Sequence, residues 1–202
     1  ISKLRSQTLD FLKGKKKFFL RSSTTKLASL INSKRINNLI FLCYSSELKN
    51  FLFWCQQLIA ESLGKQGKGF LPLVSNAPKD HHSLLQLYLD GPKDKLFYIF
   101  TGNTNNKTKI KRNLFGKNFD FIKNKKAETI IQAQKKALTK VLYDKNIPFR
   151  EFHINKFNEE TIGELFSYFI LETVLLGSLI NVDPFDQPAV EKVKNQTKNY
   201  LV

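Results

Sequence analysis

The sequence predicts an α/β fold: a parallel sheet of about four to five strands with helices on both faces, and further helices toward the C-terminal end. Three observations carry this expectation. Short apolar runs of strand length alternate with segments of ten or more residues in helical spacing, the order that right-handed crossovers between parallel strands require. One of these runs, KLFYIFTG, is apolar nearly throughout, as a strand covered on both faces is. The chain has 202 residues, is 42% hydrophobic and 12% aromatic, and holds 18 Phe, a globular composition with enough apolar surface for one sizeable core. A single domain over 1–202 is therefore expected, with a helical lead-in at 1–35.

The elements follow in order. TTKLASLINS has helical spacing and leads into NNLIFLCYS, a strand near 38–44. ELKNFLFWCQQLIAESLGK places Leu48, Phe51, Leu52, Cys55, Leu58 and Ile59 on one helical stripe that stops at Gly64. FLPLVS marks a strand near 70–74, LLQLYLDG a helix, and KLFYIFTG a strand near 96–101. A lysine- and asparagine-rich span over 105–126 lacks periodicity and reads as a surface insertion. AETIIQAQKKALTKVLYDKN is a long amphipathic helix closed by Asn146 and Pro148, and PFREFHIN gives a strand near 149–154. NEETIGELFSYFILETVLLGSLI is a largely apolar helix with acidic residues in its first turn, and a final helix covers about 187–200.

Composition removes several classes of function. The N-terminal ISKLRSQTLDFLKGKKKFFL breaks its apolar residues with Arg5, Asp10 and a lysine run, which defeats a secretory signal and a membrane span. The expectation is a cytoplasmic protein without membrane contact. Because the chain starts at Ile1 and contains no Met, it is expected to be part of something longer. Cys43 and Cys55 lack the paired spacing of a zinc or redox motif and read as buried thiols. The net charge of +16 suits a nucleic-acid binder. Lysine supplies nearly all of it, however, and Arg5, Arg21, Arg35, Arg112 and Arg150 form no cluster. A solvated lysine surface is the favoured reading, with no nucleic-acid partner.

In such sheets, ligands bind beyond the carboxyl ends of the strands. The stretch AESLGKQGKGFLPLVSNAPKDHHS gathers Glu61, two Gly-Lys steps and His81 and His82. Glu61 sits near the end of an apolar helix, where desolvation would make it a useful base; from position alone, a solvated helix-end carboxylate is the plainer reading. Adjacent histidines do not share a helix face, so acid–base work suits them better than a joint metal site. They precede SLLQLYLDG, which would set one imidazole at a helix N-terminus. In DPFDQPAVEKVK, Asp186 and Gln187 can cap a helix with Pro188 in its first turn. Gln187, Glu191 and Lys194 recur at i, i+4 and i+7 on one face, and the plain reading there is an ordinary Glu191–Lys194 pair.

Three blocks, AESLGKQGKG, DHHSLLQLYLDGPKDK and GSLINVDPFDQPAVEKVK, resemble the glucose-6-phosphate isomerase family in order and spacing. The last block matches through Gly177, Phe185, Asp186, Gln187, Ala189, Val190, Glu191 and Lys194. The resemblance implies a sugar isomerase (SIS) domain fold. It also implies an aldose–ketose isomerase of glycolysis and gluconeogenesis that interconverts glucose 6-phosphate and fructose 6-phosphate without metal or organic cofactor. Glu61 would be the base that moves a proton between C1 and C2 through a cis-enediol. His82, chosen over His81 because Ser83 follows it, would assist ring opening and be donated across a homodimer. Lys194 would be the other ring-opening group, with Gln187 beside it binding the sugar phosphate substrate. The resemblance covers about 38–202 and the C-terminal part of the family. It omits the family's upstream Gly-Gly-Arg segment and Ser/Thr-rich phosphate loop, so the chain is expected to be the C-terminal domain of a two-domain enzyme, with at most trace activity alone. A noncatalytic sugar-phosphate-binding module of the same fold is the alternative.

Overall fold

The computed structural model describes residues 17–103, 108–110 and 117–202. Residues 1–16 of the expected lead-in, and 104–107 and 111–116 around the expected insertion, lie outside the described residues. The elements are α1 (Lys17–Asn32), β1 (Asn38–Cys43), a 3-10 turn (Ser46–Leu48), α2 (Lys49–Leu63), β2 (Leu71–Asn76), α3 (Lys79–Ser83), α4 (Leu85–Asp90), β3 (Lys95–Gly102), a second 3-10 stretch (Lys117–Ile122), α5 (Ala127–Asp144), β4 (Phe149–Ile154), α6 (Glu159–Leu179) and α7 (Pro188–Leu201). The four strands form one sheet in the order β2-β1-β3-β4. β3 runs parallel to both neighbours, Asn38 facing Lys95 at one ladder and Phe97 facing Phe149 at the other.

The chain groups into two compact units, one made of Asn38–Leu52 and Leu73–Asn158, the other of the described residues up to Asn37, Phe53–Pro72 and Glu159–Val202. In the first, all eight residues of β3 are buried. On one face of the sheet, Ile40, Leu42, Tyr44, Phe97 and Ile99 close against Tyr88 of α4, Leu138 and Leu142 of α5, and Ile147. On the other, Phe41 meets Tyr98 edge-on at 5.7 Å and Phe100 stacks on Phe152 at 4.6 Å. Each such side chain contributes about 1.5–3 kcal/mol by leaving water. Lys95 is buried at the start of β3, where a lone charge would be costly. Its ammonium donates to the Pro92 carbonyl and to Asp94 Oδ1, each at 2.7 Å, and Asp94 Oδ2 accepts Asn38 Nδ2 at 2.9 Å, which ties the entrances of β1 and β3 together.

Two boundaries differ from expectation. β2 runs on to Asn76, and the helix expected over LLQLYLDG is preceded by a separate turn of helix, α3, so both histidines lie within a helix rather than ahead of one. The cause is Asp80, whose Oδ2 accepts the Ser75 hydroxyl at 2.9 Å and the Asn76 amide at 2.7 Å and winds the chain up early. In the second unit, α1 packs on α6. Buried Glu172 of α6 accepts hydrogen bonds from the Ser23 hydroxyl of α1 at 2.6 Å and from the Tyr168 hydroxyl at 2.8 Å. Among the described helices, α6 alone has the length and apolarity of a bilayer span. Cys43 and Cys55 are free and buried.

Leu142 is wholly buried in the cluster on one face of the sheet. Leu142→Ala is expected to lower the unfolding free energy by about 2–5 kcal/mol, as cavity-forming substitutions do; urea unfolding measures it, and a loss below about 1 kcal/mol would contradict this packing.

Candidate functional site

The GKQGKG segment after α2 turns the chain sharply back toward β2. Gln66, Gly67 and Gly69 all take positive φ, at 54°, 68° and 97°. A Cβ on Gly69 would stand 2.6 Å from the Leu63 carbonyl oxygen, so only glycine fits there. The two lysines of the segment reach the loop that precedes α7. Lys65 Nζ donates to the Asp183 carbonyl and to Asp186 Oδ1, the latter at 2.7 Å, and Lys68 Nζ donates to the Ile180 carbonyl at 2.7 Å. Asp183 Oδ1 accepts the Phe185 amide at 2.9 Å, closing the loop on itself.

Beside this clamp, Glu61 lies in the last turn of α2 with an exposed side chain. A buried, desolvated carboxylate is therefore not what the fold builds. Instead two amides hold it: Gln57 Nε2 donates to Oε1 at 2.9 Å, and Gln187 Nε2 donates to Oε2 at 3.0 Å. Glu61 and Gln187 stand 126 positions apart in the chain. Lys194 is not drawn into this contact; it pairs with Glu191 Oε1 at 2.7 Å, both side chains being more than half exposed, the ordinary i,i+3 arrangement of small energetic worth. The expected caps also differ. Gln187 occupies the N-cap position of α7 without a side-chain cap bond, because its amide goes to Glu61. The Asp186 carboxylate goes to Lys65, since a charge-assisted bond to a mostly covered ammonium outweighs one to an exposed backbone amide.

The histidines belong to the other unit and part company there. His81 Nε2 bonds the Tyr44 hydroxyl at 2.7 Å, with the two rings edge-on at 5.5 Å. Burial pushes the His81 imidazole below its ordinary value, with Asp80 opposing, and pushes the Tyr44 hydroxyl up. His82 is exposed and makes no hydrogen bond through its ring among the described residues. Among the described residues, no three His, Cys, Asp or Glu side chains gather as metal ligands.

Sequence reasoning missed Gln57, Lys65 and Lys68. Gln57 carries a faint signal, lying four residues before Glu61 on the same helix, where side chains come to one side. Nothing local marks the partners of either lysine, 112 to 121 positions away.

No protein-family model matches the chain. It is 36% identical over 159 residues to the glucose-6-phosphate isomerase of Methanocaldococcus jannaschii, covering 77% of this chain and 38% of that protein. To the glucose-6-phosphate isomerase of Campylobacter jejuni it is 32% identical over 197 residues, 95% of this chain and 48% of the relative. The chain thus spans less than half the length of these two relatives. Among solved structures, a hypothetical protein of Thermus thermophilus superposes on 89% of this chain and 45% of its own, with a TM-score of 0.77 and 27% identity. A glucose-6-phosphate isomerase of Chlamydia trachomatis does so over 82% and 34%, with a TM-score of 0.64 and 16% identity, a likeness of fold.

The Tyr44–His81 bond has a pH signature. Burial lowers the proton affinity of His81 in the folded chain, so the unfolded chain binds more protons just below pH 6.5, the usual histidine value. Its contribution to stability is complete above that value and is lost as pH falls through and below it. Urea unfolding between pH 7.5 and 5 is expected to show a shallower loss in His81→Gln than in the parent chain; equal losses would remove His81 as the cause.

Proposed function

We propose that this chain, a relative of the glucose-6-phosphate isomerases spanning part of their length, is the C-terminal catalytic part of an aldose–ketose isomerase that interconverts glucose 6-phosphate and fructose 6-phosphate. The observation that carries the proposal is the Glu61–Gln187 hydrogen bond, because it joins two of the three family-like blocks at one exposed carboxylate. Moving a proton between C1 and C2 needs a carboxylate that is accessible, held in one orientation, and close to donors for the sugar oxygens. Gln57 and Gln187 hold Glu61 by one oxygen each, which leaves lone pairs on both oxygens toward solvent. In the forward direction Glu61 takes the C2 proton of the open-chain aldose while the C1 oxygen gains a proton, giving the cis-enediol; the C2 hydroxyl then gives up its proton as Glu61 delivers the one it holds to C1, giving the ketose.

Ring opening precedes this step and requires a proton taken from the anomeric hydroxyl and one given to the ring oxygen. We assign these to His82 and Lys194. His82 is the histidine whose ring is exposed, His81 being engaged with Tyr44, and it would act on the neighbouring subunit's substrate in a homodimer. Lys194 would exchange its surface partner Glu191 for the sugar. Gln187 would contact substrate through the amide oxygen that its bond to Glu61 leaves over. No metal or organic cofactor enters the proposed steps, no nucleic-acid or membrane partner is invoked, and the compartment is the cytoplasm. The phosphate anchor and the cation that stabilises the enediolate would come from the part of the protein outside this chain.

The test is isomerisation of fructose 6-phosphate by the complete protein. Glu61→Gln is expected to lower turnover by roughly 10²–10⁴, the range for removing a general base, and a near-parental rate would sink the assignment. The 202-residue chain assayed alone is expected to show no more than trace turnover; brisk turnover would refute the division of the site between two parts.

A further inference from the structure

We infer that Lys65 is a positioning residue for Glu61, acting through the loop that carries Gln187. The inference rests on the isomerase reading for its catalytic consequence and on geometry alone for the positioning itself. Lys65 follows α2 by two residues, in the turn just beyond Glu61. Its side chain is only 10% exposed, while that of its partner Asp186 is 54% exposed. The loop from Ile180 to Asp186 is thus held at three points by ammonium groups from the GKQGKG turn: Ile180 O by Lys68, and Asp183 O and Asp186 Oδ1 by Lys65.

The residue after the last of these points is Gln187, whose amide meets Glu61 Oε2. Its backbone, at φ −141° and ψ 60°, is not yet helical, so its direction is set by the loop before it rather than by α7. Gln57, by contrast, sits one turn earlier on the same helix as Glu61 and holds Oε1 whatever the loop does. The carboxylate therefore has one restraint built into its own helix and one delivered by the loop, and Lys65 governs the second.

Charge explains why an ammonium is used. Lys65 Nζ meets a carboxylate and a carbonyl of the loop together, and hydrogen bonds to a charged donor are the stronger ones. Lys65 compensates Asp186 while accepting the geometry of the Asp183 carbonyl. An apolar residue of the same length would fill the space but leave Asp183 O and Asp186 Oδ1 without this donor.

The experiment compares Lys65→Met, Lys65→Arg and Asp186→Asn in the complete protein. For Lys65→Met, kcat for fructose 6-phosphate is expected to fall roughly 10- to 100-fold, the scale of a displaced catalytic group, with KM changed by less than about threefold. Lys65→Arg should recover most of the loss, and Asp186→Asn, on an exposed side chain, should give a smaller loss of the same kind. NMR of the Gln187 side-chain amide supplies a readout free of turnover: its protons should exchange slowly in the parent and rapidly in Lys65→Met. An unchanged kcat, or a rise in KM alone, overturns the inference. If the parent protein itself does not isomerise the sugar, the isomerase reading fails, and the amide signal still decides the positioning: slow exchange kept in Lys65→Met overturns it, and its loss upholds it.

Discussion

Burial of β3 on both faces is the constraint on which its unit depends. Every residue from Lys95 to Gly102 is buried, so the strand can exist only inside a layered structure, with a paired strand on each side and side chains packed above and below. Its ladders to β1 and β4 satisfy the backbone groups that burial would otherwise orphan. The price at its entrance is a buried lysine, offset by the Asp94 carboxylate that also grips Asn38 of β1. The same register fixes where the strands end, and just past the end of β1 Tyr44 takes hold of His81.

The other unit uses a different logic, in which polar groups organise the surface. Glu61 is oriented by amides rather than by burial, and the loop that brings one of those amides is fastened by two lysine ammonium groups. Each bond lies within reach of water and is modest alone. Their effect is geometric: Lys65 is nearly covered, and a covered ammonium bonded to a carboxylate and a carbonyl has few other arrangements to adopt. Precision at an exposed carboxylate is thereby obtained without desolvating it.

The lysine excess bears on both units. Several lysines have structural partners: Lys95 with Asp94, Lys135 with Glu151, Lys145 with Asp90, and Lys65 with Asp186. Part of the basic charge is thus tied to individual carboxylates and carbonyls, each set by the fold and not by the composition.

How much could be read in advance varies from element to element. The strands at 38–43, 95–102 and 149–154 and the long helices were legible because hydrophobic period and run length are local properties, and β3 advertised its double burial in the unbroken apolar run Leu96–Phe100. Glu61, His82, Gln187 and Lys194 could be nominated from block patterns. The sequence by itself thus determined an α/β chain and nominated candidate residues for a site. Tertiary structure alone decided that Gln187 reaches Glu61, that His81 turns to Tyr44 while His82 faces solvent, and that Lys65 and Lys68 fasten a loop more than a hundred positions away. Those outcomes depend on which donors and acceptors meet in space, and a hydrogen bond between distant residues leaves no period, spacing or composition in the sequence from which to read it.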